Sequence, residues 1–245
     1  MADKITIQAV DSVVPEMTPA PNSETSTLPS IDQELLRSQS AHVDCLQIGA
    51  HIGHYKDDAL FYMSTTSRTM VLIEPVPYAF KTLVKHCEEY KQEHKILCMN
   101  VAISNYDGTL RLYVPGVKND FSKYPPWATE LASTNEKHIP SILPDLVTEV
   151  IDVKCSRLNT LIQDLGIKRI EYLMIDTEGH DYDILMDLDL SILKPKKIRF
   201  ENKHMDGVHV RGEKYAKLLK HYELRGYTKT DENDEDTVLT LNTDA

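Results

Sequence analysis

From His42 onward the chain alternates between short apolar runs and stretches whose apolar positions recur every three or four residues. Val43–Ile48 is a compact apolar run ending at Gly49, as expected of a strand buried on both faces. After it, His54–Ser64 has helical spacing that predicts a helix, with Tyr55, Ala59, Leu60 and Met63 able to share a face. Met70–Ile73 predicts a second buried strand, Pro77–Tyr90 a second helix with Phe80, Leu83, Val84 and Cys87 inward, and Ile96–Ile103 a third strand. The turn Asn105-Tyr106-Asp107-Gly108 leads into the alternating strand Thr109–Val114, and Glu149–Cys155 alternates as an edge-type strand. Ser156 is placed to cap a helix that reaches about Leu165 and stops at Gly166. Glu171–Ile175 reads as a buried strand, Asp181–Leu188 as a short helix, Lys197–Phe200 as a strand and Gly212–Leu224 as a helix ended by Gly226. Tyr227–Thr230 and Thr237–Leu241 flank the acidic turn Asp231–Asp236 and form a C-terminal hairpin.

Repeated β-α units closed by a hairpin predict a Rossmann-like α/β fold, with a mostly parallel sheet, one reversed strand and helices on both faces. The first 30 residues, rich in Ser, Thr and Pro, form a flexible tail, with a short helix following at Ile31–Ser38. The remaining residues, 31–245, are expected to make one domain, interrupted by an irregular insertion at about 115–145.

Composition narrows the partners. Of 245 residues, 41% are apolar and 27% charged, ordinary globular usage. The formal net charge of −11 opposes binding to a phosphate backbone, so no nucleic-acid partner is expected. Arg211, Lys214, Lys217 and Lys220 read as a solvated helix face. No apolar run approaches the roughly 18 residues that cross a bilayer, so no membrane insertion is expected. Cys45, Cys87, Cys98 and Cys155 are scattered without a CxxC pair, and reduced thiols in a cytoplasmic protein are the expectation.

Three features carry chemistry. The first is Val43–Gly53, VDCLQIGAHIG, a strand followed by a tight turn at Gly49-Ala50. Small residues there let a ligand approach backbone amides, at the strand end where open α/β sheets bind ligands. The spacing lacks the full G-x-G-x-x-G of dinucleotide binders. The second is Glu74, directly after the second strand and followed by Pro75. A carboxylate there accepts hydrogen bonds from both ribose hydroxyls, or it serves as a helix N-terminal charge. The third is Tyr172–Asp181, YLMIDTEGHD, a buried strand that releases carboxylates where the chain leaves the core. Asp176 or Thr177 capping the next helix would account for only part of that cluster.

In order and spacing, VDCLQIGAHIG, VLIEPVPYAFKTL, NVAISNYDGTLRLYV, IDVKCSRLNTLI, YLMIDTEGHDYDIL and IRFENKH resemble the FkbM-type methyltransferase family, across about His42 to His204. The resemblance implies a class I methyltransferase fold with a seven-stranded sheet, S-adenosyl-L-methionine as cofactor, and O-methylation of a small-molecule or glycan acceptor. It implies that Gly49, Ala50, His51 and Gly53 line the methionine moiety, that Glu74, followed by Pro75, holds the ribose, and that Asn100–Ser104, with Ala102 between, borders the adenine. Asp176 and Glu178 lie beside the transferring methyl group. Gln47 stands where the family usually has an acid, which removes a charge that would attract the cofactor's ammonium.

Asp176, Glu178 and His204 are the candidates for the base that takes the acceptor's proton. Asp176 and Glu178 could also hold Mg²⁺. His51 and His54 form H-x-x-H ahead of Asp57 and Asp58, but fall in the cofactor loop and helix start, which disfavours a metal there. Trp127 in the insertion offers a ring to stack on a sugar face, with Tyr124, Ser133 and Thr134 beside it in the same loop. Ser133 and His180 complete the expected acceptor side. A non-catalytic S-adenosylmethionine- or sugar-binding module and an N-methyltransferase are the alternatives.

Overall fold

The computed structural model describes residues 42–53 and 68–242, so the N-terminal tail, the Ile31–Ser38 helix and the His54–Ser64 helix lie outside the described residues. In chain order the elements are β1 (His42–Ile48), β2 (Thr69–Ile73), α1 (Pro77–Glu88), β3 (Lys95–Met99), β4 (Ala102–Ser104), β5 (Gly108–Pro115), α2 (His138–Ile142), β6 (Thr148–Arg157), α3 (Leu158–Asp164), β7 (Arg169–Ile175), α4 (Asp181–Asp187), β8 (Lys197–Glu201), α5 (Glu213–Glu223), β9 (Tyr227–Glu232) and β10 (Asp236–Leu241). Two short 3₁₀ turns, Phe121–Lys123 and Pro126–Thr129, lie in the segment between β5 and α2.

Seven strands form the main sheet in the order β3-β2-β1-β7-β8-β10-β9. All neighbours are parallel except at β10, which runs antiparallel to both β8 and β9. This is the Rossmann-like methyltransferase topology with its single reversed strand. The strand order turns back between β1 and β7, so the crevice at their carboxyl ends is the switch point where such sheets take ligands.

The near-continuous apolar strands are explained by burial on both faces. Leu46, Ile48, Val71, Ile73, Leu173 and Ile175 pack on one side with Leu158 and Ile162 of α3, Leu185 of α4, and Leu218 and Tyr222 of α5. The alternate residues Cys45, Met70, Leu72, Tyr172 and Met174 pack on the other with Leu83 and Cys87 of α1. The period-2 alternation survives as two different apolar surroundings instead of an apolar and a wet face. All four cysteines are free, and no helix among the described residues is long and apolar enough to cross a membrane.

Three elements differ from the sequence reading. The run Ile96–Ile103 is two strands: β3 ends at Met99, and β4 begins at Ala102 in a second, three-stranded sheet ordered β4-β6-β5. Asn100 makes the break by donating its side-chain amide to the carbonyls of Glu74 (2.8 Å) and Pro75 (3.0 Å). The stretch read as an edge strand is the centre of that small sheet, parallel to β4 and antiparallel to β5. Ser156 lies in β6 and does not cap α3. Asp107, from the preceding turn, does related work from outside, accepting the Arg157 N–H (2.8 Å) and the hydroxyls of Ser156 (3.0 Å) and Thr160 (3.0 Å).

Gly49 is the tightest point of the sheet's mouth: its φ is +80°, and a Cβ there would lie 1.7 Å from the Asp176 carbonyl oxygen. Gly166, with φ +65° after α3, has nothing within 4 Å of such a Cβ. Gly166→Ala is expected to cost only the left-handed penalty of about 1–2 kcal/mol. Gly49→Ala adds a backbone overlap and should lower the melting temperature far more. Circular dichroism melts of the two variants check this, and similar losses in both would contradict the packing at Gly49.

Candidate functional site

The mouth of the sheet is built from backbone first. The Ile73 carbonyl at the tip of β2 accepts the N–H groups of both Gly49 (2.9 Å) and Ala50 (3.0 Å), and the Ile48 carbonyl accepts the Asp176 N–H (3.0 Å). The tips of β1, β2 and β7 are thereby laced together, and Gly49, Glu74 and Asp176 border one crevice.

Glu74 is buried, at 4% exposure, and its carboxylate spans the crevice wall. One oxygen accepts the His51 N–H (2.8 Å) and the other the Val76 N–H (2.7 Å). These bonds fix the loop after β1, where His51 takes a left-handed φ of +44°. Gln47 is buried on β1, in register with Leu72 and Met174.

The second half of the site gathers at the ends of β7 and β8. Glu178 adopts φ +52°, unusual for a residue with a side chain, and Gly179 follows at φ +100°. This reversal brings the Glu178 carboxylate to His138 at the start of α2, with Nε2 2.7 Å from Oε2. His204, beyond β8, has Nδ1 3.2 Å from the same oxygen and 2.7 Å from Oε1 of Glu201. The two imidazoles meet edge to face, with centroids 4.7 Å apart.

Asp181, 1% exposed, ties the two strand ends together. Its Oδ2 accepts the Thr177 N–H (3.1 Å) and the Thr177 hydroxyl, and its Oδ1 accepts the Glu201 N–H (2.9 Å). Burial raises the Asp181 carboxyl to about 6. Burial, with the charges of Asp176, Glu178 and Asp181, pushes Glu201 up to about 11. Burial holds the His204 imidazole down to about 4, against the pull of Glu178. Acidic groups are crowded here, and the nearest cation named among the described residues, Lys203, feels both Glu201 and Glu178 while giving its ammonium to Glu235 (3.0 Å).

Two sets of potential metal donors occur among the described residues. The donor atoms of His138, Glu178 and His204 lie within 4.8 Å of one another, as do carboxylate oxygens of Asp176, Glu178 and Glu201. Asp176 and Glu178 were expected from the sequence to lie together. His138 and Glu201 were not singled out. Glu201 sits where β8 leaves the core, the position that drew attention to Asp176, and that signal was available. His138 carries no local motif, and only the fold of the insertion brings it in.

Other expected site residues fall in mixed places. Asn100 follows β3 and braces Glu74 and Pro75, whereas the Ala102 and Ser104 side chains are buried in β4. The Ser104 hydroxyl lies 3.1 Å from Nε2 of His180, whose Nδ1 is 3.5 Å from Asp183, so this histidine braces β4 against α4. Ser133 is 1% exposed and donates its hydroxyl to the Glu178 carbonyl (2.9 Å). Trp127 is 44% exposed on its 3₁₀ turn, apart from the His138–Glu178–His204 group. The insertion meets the cofactor loop at Glu130, 3.9 Å from Nδ1 of His51.

A parallel sheet with one reversed strand, an acid at the tip of β2 and a carboxylate cluster at the tip of β7 define an S-adenosylmethionine-dependent methyltransferase domain. The family model of the methyltransferase FkbM domain matches residues 47–227, and the chain belongs to that family. No curated protein matches the chain. Among solved structures, it is similar to the methyltransferase FkbM from Methylobacillus flagellatus KT, with 15% identity, TM-score 0.46, and 81% of this chain and 43% of that one covered. It thus spans less than half of that protein. It is also similar to an O-methyltransferase from Bacillus cereus in complex with SAH, with 10% identity, TM-score 0.43, and 88% and 84% covered. A putative tRNA (m1A22) methyltransferase from Streptococcus pneumoniae in complex with S-adenosyl-L-methionine is similar at 11% identity and TM-score 0.37, with 86% and 72% covered.

Asp181→Ala removes the acceptor for two backbone amides and one hydroxyl at the joined strand ends. It should cost about 3 kcal/mol or more, at roughly 1–3 kcal/mol for each unsatisfied buried donor. Urea unfolding measures this, and a loss below about 1 kcal/mol would show that Asp181 does not hold the two strand ends.

Proposed function

We propose that the chain transfers a methyl group from S-adenosyl-L-methionine to a hydroxyl of a sugar or other polyhydroxylated small molecule. The observation that carries this reading is that backbone hydrogen bonds join the tips of β1, β2 and β7, and that Asp176 stands with Glu178 and Glu201 there. The loop Gly49–His51 and Glu74 border one end, and Asp176 leads from there into Glu178, Glu201 and His204.

The residues fit the cofactor. Gly49, Ala50, His51 and Gly53 present a close backbone to the methionine part, with Gln47 beneath. Glu74, whose carbonyl and that of Pro75 accept the Asn100 amide, stands at the tip of β2 where a ribose would lie, and the chain from Asn100 through Ala102 to Ser104 lies on the adenine side. When bound, the cofactor supplies a methyl group on a sulfonium, which moves in line to the acceptor oxygen while the carbon–sulfur pair stays on sulfur.

The chain's own part is alignment and proton handling. Holding the acceptor oxygen in line can supply about 7–11 kcal/mol of barrier lowering. Asp176, exposed at the tip of β7, orients the hydroxyl and takes its proton late in the transfer. Glu178 and His204 hold the acceptor's neighbouring oxygens. The insertion closes the acceptor side, where Ser133 fixes the Glu178 backbone and Trp127 offers an exposed ring for a sugar face. A hydroxyl acceptor suits this mouth because the strand end reads Asp176-Thr177-Glu178, without the aromatic-proline motif of enzymes that methylate adenine amines.

S-adenosylhomocysteine is expected to bind in calorimetry, and Glu74→Ala to weaken it by about tenfold or more, the equivalent of about 1.4 kcal/mol. With labelled methyl donor and a panel of sugars and amines, label should reach hydroxyls. Asp176→Asn and Glu178→Gln should each slow transfer by about 10²–10⁴-fold. Full turnover in both variants, label on amines alone, or binding without any transfer would each defeat the reading.

A further inference from the structure

We infer that His138, Glu178 and His204 form a binding site for a divalent transition-metal cation. Three separate segments deliver the donors: the insertion supplies His138, the left-handed turn after β7 supplies Glu178, and the chain beyond β8 supplies His204. Their donor atoms lie within 4.8 Å of one another. Nε2 of His138 and Nδ1 of His204 are 2.7 and 3.2 Å from Oε2 of Glu178. Adjacent donors around one cation at bond lengths of about 2.1 Å stand roughly 3.0–3.4 Å apart, so small shifts would complete the set.

The hydrogen-bonding pattern supplies an independent reason. The His204 side chain is 5% exposed and that of Glu201 7%. Neither ring nitrogen of His204 has a partner in line for a hydrogen bond, despite the short distances from Nδ1 to two carboxylates, and Oε2 of Glu201 has none. Buried polar atoms are nearly always satisfied, and a bound ion is one of the few reasons for exceptions at a single point. Electrostatics agree, because four carboxyl groups, Asp176, Glu178, Asp181 and Glu201, crowd together, and the nearby Lys203 divides its charge among Glu178, Glu201 and Glu235. A bound dication would offset that charge and explain why Glu178 is held in a strained conformation.

The donor chemistry selects the ion. Two imidazoles and one carboxylate suit Mn²⁺, Fe²⁺, Co²⁺ or Zn²⁺, whereas Mg²⁺ and Ca²⁺ prefer oxygen alone. Three protein donors leave positions open toward Asp176 for water or for the acceptor's hydroxyls. The use made of the ion rests on the proposed function: as a Lewis acid it would lower the acceptor's pKa and fix which hydroxyl faces the methyl group. The site itself does not rest on that reading.

The test titrates the tag-free, metal-stripped full chain with Co²⁺, followed by visible absorption and calorimetry, with S-adenosylhomocysteine binding measured separately. One Co²⁺ per chain is expected, with the d–d bands of an imidazole-ligated ion and no displacement by excess Mg²⁺. His138→Ala and His204→Ala should each weaken it by about 100-fold or more, since losing even an outer partner costs 10–100-fold. Asp176→Asn should leave it nearly unchanged. On the unaltered chain, Co²⁺ should protect His138 and His204 from carbethoxylation read by mass spectrometry, which holds even where a variant folds poorly. Absence of stoichiometric Co²⁺ binding, labelling indifferent to Co²⁺, or loss with Asp176→Asn but not with the histidine variants would overturn the site. Co²⁺ binding without S-adenosylhomocysteine binding would instead defeat the proposed function and leave the metal site standing.

Discussion

Where β1 and β7 leave the sheet, their backbones run so close that a methyl group on Gly49 would lie 1.7 Å from the Asp176 carbonyl oxygen. The contact is held by the Asp176 N–H on Ile48 and by two amides of the β1 loop on Ile73. Charged side chains are disfavoured at the buried centres of parallel strands, so carboxylates stand at the strand exits: Glu74 after β2, Asp176 after β7, Glu201 at the end of β8. Lacing the exits together turns three separate exits into one crevice, and the distances within the site follow from it.

The carboxylates in that crevice do different work according to what surrounds them. Glu74 spends one lone pair of each oxygen on the amides of His51 and Val76, and so is both a brace and a candidate ribose acceptor. Asp181 is wholly occupied with Thr177 and Glu201 and serves position alone. Glu178, turned back by a left-handed backbone, meets two imidazoles. Asp176 stays exposed at the mouth. Four acids are thus given different surroundings by hydrogen bonding and burial rather than by residue type.

The insertion is what distinguishes this mouth from a bare sheet edge. It pairs with β5 through the Tyr113–Ser133 bridge, which anchors Ser133 beneath Glu178 and sets α2 so that His138 points at the same carboxylate. Its own small core of Ala128, Leu131, Ile139 and Leu146 keeps it compact. Trp127, 44% exposed, stands on that segment's surface.

The sequence by itself determined the mostly parallel sheet with its one reversed strand, the closing hairpin and the family, because burial on both faces writes itself as apolar runs and because strand exits carry the conspicuous Gly49, Glu74 and Asp176; it did not show α2 within the insertion. Local pattern could not decide that the run through Asn100 splits between two sheets, since the break comes from an amide reaching the carbonyls of Glu74 and Pro75. Nor could it show that β6 lies at the centre of a sheet, a matter of which strands return beside it. His138 joined the site only through tertiary structure, whereas Glu201 carried the strand-exit signal. A histidine some 40 residues from its carboxylate partner leaves no spacing to read, and the short-range rules that set strands and helices are silent on contacts made by a folded insertion.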